Sequence, residues 1–256
     1  ALLLLASSAV PSHAWTSSPD EWDVHDWTLH QAVLVAEANG FRWVDLEVAS
    51  AFSDDASLSE DSGPECDPSS PSHAEPEAQA GALFEEAVIA YEARDFDEAS
   101  RCAGRIAHLM TDLGDPYVAA GVSPQADRAE TYDDLLAGEL REAWRRNGWI
   151  PKSLPHYIVD PERAAGALRA RSRGRLPSFD QTVWRQSDDA NLSHLDYLPL
   201  AAGLSYTVRM LAGVIAAVEI AAQPDVVDLA RWSGATRYET AASVSREAYP
   251  EGSRAL

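Results

Sequence analysis

Apolar positions along this chain recur at helical spacing, and no stretch alternates in the manner of a strand. The run DWTLHQAVLVAEA, about residues 26–38, reads as a first helix closed by Asn39–Gly40. A polar segment rich in Pro and Ser follows at about 53–76, with no helical period. Loops of that length inside a compact domain are usually functional or disordered. Two helices come next, at about 77–93 and 97–112, joined at ARDFDEA as a tight hairpin, with Pro116 stopping the second. A further helix is expected at about 127–146, ended by NGWIP, and a helix-prone stretch at 161–174 contains RARSRGR. That basic patch reads as a solvated face, with phosphate contact as the rival reading. The apolar segment at about 198–222 is the expected central core helix; it is long enough to span a bilayer, but Arg209 and Glu219 within it favour burial in protein. Beyond Pro224 the chain is polar. With no internal repeat, the expected class is all-α, a multi-helix bundle.

A chain of 256 residues can bury one sizeable core, so one domain is expected. The formal charge of −21 argues against electrostatic capture of nucleic acid or of an anionic membrane, although bound divalent cations would offset part of it. The opening residues ALLLLASSAVPSHAW look like the apolar core of a secretory signal whose basic start is missing. Small residues at Ser12 and Ala14 fit cleavage after Ala14, and the run is too short to span a bilayer. The expected organisation is therefore a signal at 1–14, a helical domain at 15–222 and a polar tail at 223–256, in a secreted or periplasmic protein whose mature N-terminus is Trp15. Cys66 and Cys102 are too few for a disulfide scaffold or a zinc ribbon, and two isolated thiols are expected.

The chemistry concentrates in AGRIAHLMTDLGDPYV. His108 and Asp112 lie four residues apart, on one face of an otherwise apolar helix. Burying two groups that are costly to desolvate has two explanations, a core His–Asp hydrogen bond or a metal site. Further donors recur elsewhere: His25 at the start of the first helix, Asp61 within SEDSGPECD and His73 within SPSHAEP. Zinc accepts imidazole nitrogen and carboxylate oxygen together, and hydrolytic sites leave one position for water. After signal removal, the Trp15 α-amine and carbonyl oxygen could also chelate a metal. His30 rivals His25, but His25 begins the helix; His156 and His194 read as ordinary.

These residues resemble the superfamily of zinc-dependent phospholipase C and the single-strand-specific zinc nucleases. The likeness rests on Trp15, then His25 with Ala32 seven residues on, then Glu60–Asp61, His73 and the hairpin FEEAVIAYEARDFDEASRCAGRIAHLMTD, and finally His108, Asp112 and Pro116. It covers about residues 15–144. The resemblance implies two zinc ions bridged by Asp112, one held with Asp61, His73 and His108, the other with His25 and the Trp15 amine and carbonyl. It also makes Asp61 a candidate catalytic base. The family's third zinc uses two histidines where this chain has Val118 and Ala126; only Glu130 remains, so two metals are expected. The leading expectation is a phospholipase C-like phosphodiester hydrolase acting on a phospholipid or other phosphodiester, with transient membrane-surface contact. The alternatives are a nuclease, which the acidic balance disfavours, and a degenerate zinc-binding protein without activity.

Overall fold

The computed structural model describes residues 24–53, 75–122, 154–188 and 198–223, with side chains throughout except at 182–188 and 198–201. Seven helices and no strand are found among these residues, in agreement with the all-α expectation. They are α1 (Val24–Ala38), α2 (Leu46–Ser53), α3 (Pro76–Glu92), α4 (Phe96–Gly114), α5 (Pro116–Ala120), α6 (Pro161–Asp188) and α7 (Leu198–Ala222). The helix expected at 127–146, the signal at 1–14, Cys66 and all of the polar tail beyond Gln223 lie outside the described residues.

Helix α7 is apolar all round and occupies the centre, touching α1, α3, α4 and α6. It is long and apolar enough to cross a membrane, yet 67 % of its most apolar window is buried against other parts of the chain, as expected of a core helix. Leu204, Val208, Leu211 and Ile215 on α7 join Leu29, Val35, Ile106, Leu109 and Met110 in one continuous core. Close crossings are made by glycine: a methyl group on Gly114 of α4 would overlap Thr207 of α7. The α3–α4 hairpin turns through Arg94 at φ 61, and the Asp95 carboxylate accepts the Glu98 N–H at 3.1 Å to cap α4.

Three elements differ from expectation. Helix α2 forms where none is expected, because the Asp45 carboxylate accepts from both Glu47 and Val48 N–H groups, and the Asp45 N–H donates to Ser100 Oγ on α4 at 2.9 Å. Helix α5 follows Pro116 at once, since Asp115 caps its start by accepting from Tyr117 N–H at 2.7 Å. Helix α6 runs through Gly174 and Pro177 to Asp188 instead of ending at 174. Ser178 Oγ donates to the Arg175 carbonyl at 2.9 Å there, and the buried Phe179 ring packs edge-on against Tyr117.

The strap at 154–160 lies along α7. His156 N–H donates to the Arg209 carbonyl at 3.0 Å, and Arg209 Nε donates to the Leu154 carbonyl at 2.8 Å. A side chain on Gly213 would overlap the His156 carbonyl, so that glycine sets how closely the strap approaches. His156 is therefore not an ordinary connection residue. Burial, with Arg209 and Arg171 adding to it, pushes its imidazole down from 6.5 to about 3. The unfolded chain takes up a proton below pH 6.5 while the folded one stays neutral, so this stabilisation is complete above pH 6.5 and drains as pH falls toward 3. His156→Asn is expected to remove about 3 kcal/mol of the stability lost between pH 7 and pH 4, read from urea melts at the two pH values.

Candidate metal centre

Helix α4 delivers two of the three groups. Its capped start and its end at Gly114 fix the register that places His108 and Asp112 on the face turned toward α1 and α2. Asp115 secures that end, its N–H donating to the carbonyls of Thr111 and Asp112 at 3.2 and 3.0 Å. Helix α1 brings the third group, His25, into the same space from its first turn. Relative exposure is 1 % for His25 and 5 % for both His108 and Asp112, so water solvates none of them appreciably.

His25 Nε2 lies 3.1 Å from Asp112 Oδ1, and His108 Nε2 lies 3.3 Å from Asp112 Oδ2. Each carboxylate oxygen thus faces a different imidazole. The two rings stack with centroids 4.8 Å apart and planes 15° from parallel. The candidate ligand atoms all fall within 4.8 Å of one another, a buried group that could hold a metal ion. His30, half-buried and on another face of α1, is not one of them.

The far nitrogen of His108 carries the decisive detail. His108 Nδ1 is 2.8 Å from the Ser53 carbonyl oxygen, an acceptor only, so Nδ1 bears the proton and donates it there. The neutral ring then turns the lone pair of Nε2 toward the Asp112 carboxylate. Two lone-pair donors 3.3 Å apart repel unless a cation lies between them or Nε2 takes a second proton. Ligands of a tetrahedral zinc shell stand about 3.3 Å apart, so the spacing fits an ion as well as a proton. A backbone carbonyl that fixes the tautomer of a ligating histidine is the usual outer partner of such sites. The donor set therefore fits a borderline metal.

Ser53 was not visible as a site residue, because it acts through its backbone carbonyl, which every residue has. Its hydroxyl also donates to Asp26 Oδ1 at 3.1 Å, linking α2 to α1. One serine at the last position of α2 thus ties together both helices that carry the imidazoles.

Of the sequence-derived candidates, the structure brings together His25, His108 and Asp112. Trp15, Asp61, His73 and Glu130 lie outside the described residues. Val118 sits on α5 with no ligand atom to offer, and neighbouring Asp115 is buried with its carboxylate turned to the Tyr117 N–H. Cys102 is a buried free thiol on α4; burial, with Glu98 and Glu86 adding to it, pushes it up to about 11, which leaves it protonated and inert. No protein-family model matches the chain, and no curated protein matches it.

Proposed function

We propose that this protein is a secreted, zinc-dependent phosphodiester hydrolase of the phospholipase C type, built around two ions that share Asp112. One observation carries the reading: two imidazoles and a carboxylate, drawn from positions as far as 87 residues apart along the chain, converge in a largely buried site with each carboxylate oxygen facing its own imidazole. That is how a carboxylate bridging two ions would be flanked, and these three residues fill three of the positions the resemblance assigns. Zinc bound there would supply Lewis-acid polarisation of a phosphoryl group and a water of lowered pKa. The chain's own residues do the holding. Ser53 fixes the His108 tautomer, α1 presents His25, and Asp112 offsets the positive charge. In this reading Asp61, His73 and the Trp15 amine and carbonyl complete the two shells, with Asp61 as the base toward water.

A second reading, a zinc-binding protein without activity, is favoured by Val118, which stands where the resemblance calls for a third-zinc histidine. Metal analysis of the protein with Trp15 at its N-terminus should find about two equivalents of zinc, and one extra residue before Trp15 should lower that number. A chromogenic phosphocholine ester and single-stranded DNA, assayed in parallel with added zinc, then separate the functions. Turnover of the ester supports the hydrolase; turnover of DNA alone makes the protein a nuclease. Metal bound with neither turned over leaves the non-catalytic reading, and no bound metal ends both.

A further inference from the structure

The basic patch RARSRGR does not behave as one solvated face. Arg169 reaches α3, where its Nη1 donates to Glu77 Oε1 at 3.1 Å and Glu75 Oε2 at 3.3 Å. Arg173 is exposed. Arg171 and Arg175, one turn apart on the same face of α6, turn instead toward α7. The Arg171 guanidinium lies over the Tyr206 ring, 4.2 Å from its centroid. Arg175 Nη1 approaches α7 beside Gly203, 3.7 Å from where a methyl group on that glycine would sit, an ordinary van der Waals distance. The His156 ring completes the group, 4.9 Å from that of Tyr206.

Four polar atoms in this cluster are sealed from solvent and make no hydrogen bond: Arg171 Nε, Arg175 Nη1, Tyr206 Oη and His156 Nε2. Packing explains the rings but not these atoms. Stacking on Tyr206 occupies the face of the Arg171 guanidinium and leaves its in-plane Nε–H without an acceptor. Neither Arg171 nor Arg175 has a carboxylate partner among the described residues, and burial together with the Arg171 charge holds Arg175 below the usual arginine range. Buried donors are nearly always satisfied, and two uncompensated guanidinium groups repel each other. A site with two positive charges, a phenol and a neutral imidazole lacks one thing, an acceptor-rich dianion.

We infer that Arg171, Arg175, Tyr206 and His156 form a binding site for a phosphate-class oxyanion between α6, α7 and the 154–160 strap. The guanidinium groups supply charge-assisted N–H donors, and Tyr206 Oη donates a third bond. His156 stays neutral and offers Nε2. A carboxylate ligand would offset one of the two charges, whereas a tetrahedral dianion offsets both. Arg171 and Arg175 are half-buried, so the ion enters past their solvent side. The site shares no residue with the metal trio and does not depend on the function proposed above.

The test is calorimetric titration of the full protein with inorganic phosphate, paired with thermal melts. Wild-type protein should bind one phosphate, with sulfate competing and acetate not. Arg171→Gln and Tyr206→Phe should weaken binding, the former about tenfold or more, while Arg173→Gln should leave it unchanged. Phosphate should raise the wild-type melting temperature and not that of Arg171→Gln. A phosphate-induced rise in melting temperature as large in Arg171→Gln as in wild type would overturn the proposal. So would equal binding by wild type and Arg171→Gln, equal competition by acetate, or binding that a chelator abolishes without altering the melt, which would put the phosphate on the metal.

Discussion

Replacing Asp112 with alanine will strip the protein of metal and lower its stability by about 3–5 kcal/mol, the range for removing one partner of a buried charged group. Asp112 is the only acidic member of the trio, and both imidazoles direct a nitrogen at it from within 3.3 Å. Without it, two stacked rings remain in a site largely shielded from water, with no negative charge to balance any cation. Asp112→Asn separates the two effects. The amide keeps the shape and one acceptor oxygen but loses the charge, so metal content should fall as far as in the alanine variant while much of the stability survives. Elemental analysis alongside urea melts reads both. A full complement of metal in Asp112→Asn would remove this residue from the site.

Gly104→Ala will destabilise the protein by about 3 kcal/mol and weaken metal binding about tenfold, although Gly104 touches no ligand. A methyl group there would overlap the Ala49 carbonyl oxygen and press on Phe52, so α2 must move away from α4. Gly104 lies one turn before His108, and Ala49 one turn before Ser53. Any displacement therefore carries the Ser53 carbonyl away from His108 Nδ1, the bond that fixes the tautomer. The control is Gly174→Ala, where nothing lies within 4 Å of the added methyl group; it should be neutral or stabilising, because alanine is the better helix former. If Gly104→Ala loses stability but binds metal as tightly as wild type, the α2 carbonyl does not orient His108.

Much of the helical architecture could be read from the residues. The apolar run of α7 has both observed ends where the sequence puts them, because it is continuous and bounded by turn and proline residues. The α3–α4 hairpin lies within two residues of expectation at each end, since ARDFDEA carries its own cap. Short helices were harder. Five residues of α5 hold too little periodicity to see, and Asp115–Pro116 signals a stop and a start alike. The extension of α6 past Gly174 and Pro177 goes against local preference; Phe179, buried against Tyr117, is a tertiary contact that no local pattern reveals. The His108–Asp112 pair was visible because four-residue spacing dictates a shared face. That His25 would meet them was legible only through the resemblance, as no local rule relates residues 87 positions apart. The Ser53 carbonyl and the arginine cluster around Tyr206 both depend on how helices cross, which spacing does not encode.

The seating of α1 on α7 has a consequence for biogenesis. His25 is synthesised before Asp112 and both before α7, yet the surface that holds α1 in place is finished only when α7 is complete at Ala222. A nascent chain carries all three groups before the seat of α1 is complete. An ion held there, as the proposed function requires, would therefore be chosen by the ionic milieu where folding ends, not by the one around the ribosome tunnel. By the same logic, a premature stop within α7 would abolish such capture even though that helix adds no residue to the trio.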